Sequence, residues 1–317
     1  MAGYGIVAAA GAVVTGAAVL LGQVELARHT IPRAQAPPPR CDGWYGGRSS
    51  HDPLTLVVLG DSVAAGYGVA KPRQTPGALL ATGISRRLRR PVRLHRLAVV
   101  GAQSRDLAPQ VEAALELAPD LAVIVIGGND VTHRTNRTEA VRHLVAAVRA
   151  LRAAGAEVVV GTCPDLGTIQ PIRPPLRWLA RRWSRQLAAA QTVAVVEAGG
   201  WTVSLGDLLG PRFRAEPQRM FGADRFHPSA DGYAAAAAAL LPTALAALGV
   251  GGPSRRTGVQ SLPRAAATAA RRAGTEVSGT SVAGREHGPA GRWAALRTRV
   301  RSVIRPTDAE PNPLELR

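Results

Sequence analysis

Ser62, Asp224 and His227 are the residues of this sequence whose types and spacing could do chemistry together. A serine hydroxyl is a poor nucleophile near neutral pH and needs a base, with a third group to orient that base. Asp224 stands three residues before His227 in Asp224-Arg225-Phe226-His227-Pro228. In a turn or a first helical turn that spacing puts both side chains on one side. Asp224 would then hold the imidazole tautomer and stabilise the imidazolium, and His227 would take the Ser62 proton and return it to a leaving group. Acyl transfer also needs donors for an oxyanion. Three are at hand: the backbone N–H of Ser62, the backbone N–H of Gly101 in Val99-Val100-Gly101-Ala102, and the side-chain amide of Asn129 in Gly127-Gly128-Asn129-Asp130. Each block also has a plainer use. Asp61 and Ser62 could cap a helix, Gly101 could be a turn glycine, Asn129-Asp130 an Asx turn, and His227 a cap for the helix after it.

Elements that would bring these blocks together can be read from the apolar pattern. Leu56–Leu59 is a short apolar run ending in Gly60-Asp61-Ser62, the signature of a buried parallel strand with polar residues at its carboxyl end. Further strands are expected at Val92–Val100, Leu121–Ile126, Val158–Gly161 and Val193–Val196. Helical spacing is found between them, over Gly77–Arg90, Asp106–Leu117, Thr138–Ala154 and Leu176–Gln191, and then over the alanine-rich Ser229–Leu248. Strands alternating with helices predict a three-layer α/β/α sandwich on a five-stranded parallel sheet of the flavodoxin type. In such sheets ligands sit at the carboxyl ends of the strands, and there the four polar blocks would converge.

The 317-residue chain divides by composition into an apolar segment 1–22, a Pro/Arg-rich linker 23–50, a catalytic domain 51–250 and an Arg-rich tail 251–317 expected to be mostly disordered. Ala2 to Gly22 carries no charged side chain and is long enough to cross a bilayer core. It reads as an uncleaved anchor, with a cleaved export signal and a secreted form as the alternative. Arg28, Arg33 and Arg40 follow it, which the positive-inside rule would keep cytoplasmic. Cys41 and Cys163 could pair in an exported domain or remain thiols in a reducing one. These two lines of reasoning compete, and the side of the membrane stays open.

The net charge is +17, nearly all of it arginine, since Lys71 is the only lysine. With 4% aromatic residues and no base-stacking or zinc-finger pattern, nucleic acid is not expected as a partner, whereas an anionic membrane surface is. Two stretches suit such a surface. Trp293, Leu296, Val300, Val303 and Ile304 fall near helical spacing among arginines in the tail. Arg173, Arg177, Arg181, Arg182 and Arg185 share a helix with Trp178 and Trp183. That helix reads either as a lid or lipid contact, or as a solvated face with both tryptophans in the core.

The four blocks, in this order, resemble those of the SGNH or GDSL hydrolases, a family of esterases and lipases. Gly60-Asp61-Ser62 is similar to the first block, Gly101 to the second, Gly127-Gly128-Asn129-Asp130 to the third and Asp224 through Pro228 to the fifth. The likeness spans roughly Leu54 to Leu248, and departs from the family name only in Val63, where leucine is usual. It implies Ser62 as nucleophile, Asp224 and His227 as its partners, and Gly101 and Asn129 as oxyanion donors. It also implies that neither metal nor cofactor is needed. Rival signatures are missing: Ala64 breaks a Gly-x-Ser-x-Gly elbow, and Lys71 replaces the last glycine of a dinucleotide fingerprint. The expected activity is hydrolysis of a small or lipid acyl ester. The alternatives are a carbohydrate O-acetylesterase or acyltransferase and, in another class, a non-catalytic membrane-anchored scaffold.

Overall fold

The structure is a computed structural model that describes residues 18–23, 25–26, 36–47 and 52–250, and the backbone of 281–282 and 285–286. Most of the apolar segment, much of the linker and most of the tail, with the helix expected around Trp293, lie outside the described residues.

Seven residues, Leu54–Gly60, all but Thr55 apolar, form the central strand β2, and alternate side chains along it serve two cores. Leu56 and Val58 point into one, Val57 and Leu59 into the other. Strand β4 (Leu121–Val125) repeats the pattern: Leu121, Val123 and Val125 join the first core, Ala122 and Ile124 the second. This two-sided burial demands helices on both faces. On the first face lie α2 (Pro76–Leu88) and α9 (Ala230–Ala247), which pack on each other. On the second lie α3 (Leu107–Leu115), α5 (Arg137–Ala153) and the 22-residue α6 (Leu176–Glu197). Side-chain caps start several of them. Thr75 accepts from Ala78 N–H, Asn136 from Thr138 N–H, and Ser229 from Gly232 N–H.

The sheet has six strands rather than five. Its order is β1-β3-β2-β4-β5-β6, with β3 at Val92–Arg96, β5 at Glu157–Gly161 and β6 at Trp201–Val203. The five from β2 to β6 are parallel and run in the flavodoxin order. The sixth, β1 (Gly43–Tyr45), comes from the linker and adds antiparallel to β3. Strand order reverses between β2 and β4, and this opens the crevice that holds the polar blocks.

Three expectations are corrected. Val193–Val196 is not a strand but the last turn of α6, because Val195 and Val196 are buried on that helix. The helix ends at Gly199, whose φ is +86°, and Gly200 N–H returns to Val195 C=O at 2.9 Å. The fifth parallel strand therefore falls eight residues later, a shift from 193 to 201. Second, β3 stops at Arg96. Leu97 and Ala98 N–H both turn to Val58 C=O, and Val99 and Val100 are left exposed in the following turn. Third, the Arg-rich helix fits neither reading whole: Arg185 is buried in an ion cluster, whereas Trp178 is 66% exposed. Two short helices, α7 (Leu205–Ala215) and α8 (Pro217–Met220), were not anticipated and roof the site. Among the described residues α9 is the one helix long and apolar enough to cross a membrane, but its Tyr233, Leu240 and Ala244 belong to the core.

Candidate active site

Strand β2 delivers Ser62 through a tight corner. Gly60 has φ +128°, and a Cβ there would stand 1.9 Å from the Val125 carbonyl oxygen, so only glycine fits. Asp61 then caps the four-residue helix α1 (Ser62–Ala65), its Oδ1 accepting from Val63 N–H at 2.9 Å. Gln110 of α3, itself buried, grips the corner from behind. Its Oε1 accepts from Gly60 N–H at 2.7 Å and its Nε2 donates to Gly60 C=O at 3.1 Å.

His227 reaches Ser62 from the loop before α9. Its Nε2 lies 2.9 Å from Ser62 Oγ, and its Nδ1 lies 2.6 Å from Asp224 Oδ2. An ionised carboxylate can only accept, so Nδ1 carries the proton and Nε2 is left to accept from the serine O–H. The loop is locally built. Asp224 Oδ1 accepts from Phe226 N–H at 3.0 Å and His227 N–H at 2.9 Å, and Gly222 N–H donates to His227 C=O at 2.8 Å. Partial burial acts to raise the Asp224 carboxyl, but the bonds from His227 and the two backbone N–H groups outweigh it and hold it below its ordinary value. Tyr67 and Phe226 clasp the imidazole edge-on, with ring centroids 4.7 and 4.9 Å away.

The two remaining blocks are joined by one bond. Asn129 sits in α4 (Gly128–Thr132), and its Nδ2 donates to Ala102 C=O at 3.0 Å, next to Gly101. Gly127, at φ +130°, lets this helix start against Cys163 and Gln191, which a Cβ would meet at 2.9 and 3.1 Å. Gln191 of α6 plays the part of Gln110 for this strand. It donates to Ile126 C=O at 3.2 Å and accepts from Cys163 N–H at 2.8 Å. Asp130 is buried and takes the N–H and Oγ–H of Ser104. All five residues singled out in the sequence thus stand on one rim. Ser62 and Asn129 also line an apolar cavity of about 80 Å³ with Leu166, Ile169, Phe213 and Phe226, whereas Gly101 lies outside that lining.

Asp61 is the outlier. Full burial, with the nearby Asp130 carboxylate adding to it, pushes its carboxyl up to about 7 despite the Val63 N–H bond. Beneath the cavity Asp165, Asp207 and Arg185 are buried together. Arg185 donates to Asp207 at 2.5 Å, and Arg214 to Asp165 at 3.1 Å. This cluster and the two glutamines escaped sequence reasoning. A lone buried glutamine has no local signal, and the arginines have helical spacing typical of a solvated face. Cys41 and Cys163 are separate buried thiols; burial raises both, Cys163 strongly. Among the described residues no cluster of three or more His, Cys, Asp or Glu could hold a metal.

Residues 58–235, more than half of the sequence, match the GDSL-like lipase/acylhydrolase family. The chain belongs to that family. It is accordingly a carboxylic ester hydrolase. A relative with the family's motifs in its name, the GDSL-like esterase of Mycobacterium tuberculosis, is 45% identical over 249 residues, 75% of this chain and 79% of its own. In fold the chain is similar to LAE5, an α/β hydrolase enzyme from the metagenome of Lake Arreo, Spain. The TM-score is 0.50 at 21% identity, over 62% of this chain and 95% of LAE5. The family's mostly parallel sheet with flanking helices is the architecture described above, with the antiparallel strand β1 as a sixth member.

Proposed function

We propose that this family member cleaves esters of short apolar acyl groups through an acyl-enzyme on Ser62. The observation that carries the reading is the unbroken line Ser62 Oγ–His227–Asp224, with Ser62 at its end lining an apolar cavity. As Ser62 Oγ attacks the ester carbonyl carbon, His227 Nε2 takes its proton and Asp224 stabilises the imidazolium. The carbonyl oxygen becomes an oxyanion facing the N–H groups of Ser62 and Gly101 and the Asn129 amide. Collapse breaks the bond to the alcohol, which leaves with the proton from His227. Water, deprotonated by His227, then attacks the acyl carbon, and Ser62 recovers its proton as the acid departs. The cavity is small and bounded by aromatic and branched side chains, which suits short acyl chains.

The reading places the enzyme at a membrane, held by the uncharged run Ala2–Gly22. The test of the chemistry is hydrolysis of p-nitrophenyl esters from acetate to palmitate by the full chain and by Ser62→Ala. Expected are an optimum among the shortest chains, a loss of at least about 10³-fold in the variant and fluorophosphonate labelling of the parent alone. Unchanged activity in Ser62→Ala would overturn the acyl-enzyme. A folded parent that neither turns over nor labels would favour a binding scaffold.

A further inference from the structure

The described part of the apolar segment does not stand away from the catalytic domain. Residues 18–23 are helical, with Leu20 packed on the cluster around α6 and Gln23 tied to that helix's entry. Gln23 Nε2 donates to Pro174 C=O at 2.7 Å, and Gln23 Oε1 accepts from Leu176 N–H at 3.1 Å. Gln23 Oε1 thus caps a first-turn amide of α6, while its Nε2 fixes the loop before it. Val19, 46% exposed, and Leu21, 63% exposed, face outward from this dock.

Between the docked segment and the domain lies a second cleft, of about 470 Å³. Leu20, Leu179, Trp183 and Leu187 make its apolar part, and Arg134 and Arg137 stand in the same wall. Arg134 is held at φ +56° after α4, and Arg137 opens α5 with one bond to Gln186 at 3.4 Å. The one acid of the lining, Asp130, is turned to Ser104. Two guanidiniums over an apolar slot make a site with the chemistry of an anionic amphiphile. The membrane-length segment supplies one wall, so a bilayer reached through that segment brings its lipids to the cleft.

We propose that this cleft binds an anionic phospholipid of the bilayer, its phosphate on Arg134 and Arg137 and the start of an acyl chain against Trp183 and Leu20. Asp130 and Val131 of the cleft directly follow Asn129 of the catalytic cavity in α4, so the bound lipid sets the catalytic rim toward the membrane surface. The lipid here is a docking ligand and not the ester that is cleaved. The inference rests on the membrane reading of Ala2–Gly22 and is independent of the acyl-enzyme.

The experiment is tryptophan quenching of the full chain in phosphatidylcholine vesicles containing a minor fraction of acyl-brominated lipid. The brominated component is phosphatidylglycerol in one series and phosphatidylcholine in the other. The Trp183 contribution is the difference between the parent and Trp183→Phe. Expected is at least threefold more quenching of Trp183 by the glycerol lipid, lost in the Arg134→Gln/Arg137→Gln pair. Arg134→Glu/Arg137→Glu repeats the test in a second background, with far-ultraviolet dichroism checking the fold. Equal quenching by both lipids, or a preference that survives both double variants, overturns the site. Sedimentation with vesicles but no Trp183 quenching overturns the site and leaves the membrane reading standing. No sedimentation with any vesicle overturns both.

Discussion

Two buried aspartates flank Ser62, the proposed nucleophile, and the fold treats them in opposite ways. Asp224 receives a proton donor at every turn, two backbone N–H groups and His227 Nδ1, and its charge is stabilised. Asp61, adjacent to Ser62 in sequence, is fully buried, and the backbone N–H bonds at its cap, that of Val63 foremost, do not offset its burial and the repulsion of Asp130. Its carboxyl is pushed up to about 7. The same side chain is thus an anion where the proposed reaction forms an imidazolium, and about half protonated near pH 7 where it need only accept a cap. Charge is retained in this site where the proposed reaction develops charge of the other sign.

The strongest way to break that contrast is Asp224→Asn. An amide at this position can present its NH₂ to Nδ1 and favour the wrong tautomer, so kcat should fall by about 10³–10⁴, with KM little changed. A steady-state comparison on a short-chain ester checks this, and a loss under tenfold would show that Asp224 only shapes the loop.

Asp61→Asn should do the reverse, sparing activity and changing stability. Above the ordinary value of 3.8 the unfolded chain loses the proton, whereas the folded carboxyl keeps it until about 7. The folded state binds more protons in that window, so stability falls as pH rises through it, by up to about 4 kcal/mol at the upper end. Asp207, raised to about 6 mainly by burial, adds a smaller slope of the same sign. Asp224, held low, contributes stability that is lost only as pH falls through its depressed value. Denaturant melts of the parent between pH 5 and pH 8 should show the decline, and Asp61→Asn should remove most of it. A parallel slope in the variant would sink the assignment.

The smallest expected effect sharpens the contrast from the serine side. Gln110→Leu removes both bonds to Gly60 and leaves a buried N–H without that partner, at a cost of about 1–3 kcal/mol in stability. Ser62 should then be less well aimed, with kcat down about tenfold and KM unchanged. Asp224→Asn, by contrast, should remove at neutral pH the stability that the depressed Asp224 carboxyl contributes, while its main effect stays on kcat. A kcat equal to that of the parent would make Gln110 purely structural.

The same contrast explains what could be read from the sequence. Asp224 and His227 interact over three residues, so their relation was visible as a spacing. Ser62, Gly101 and Asn129 were visible because each follows an apolar run, and the topology turns strand ends into one rim. Gln110 lies fifty residues from the glycine it grips, and Gln191 sixty-five from Ile126. Nothing local marks either. Val193–Val196 misled because β-branched residues suit strands, and only packing on α6 reveals that helix burial prevails. The linker strand β1 was hidden among glycines and had only three residues to show.

The two separate thiols lead somewhere different. Cys41, two residues before β1, belongs to one core cluster, and Cys163, two residues past β5, to another. Each is buried, and the two are free thiols. The protein therefore carries two internal gauges of opening, one near its edge strand and one near its catalytic rim. A thiol-reactive reagent would read, by the order in which Cys41 and Cys163 become labelled, which of the two regions loosens first.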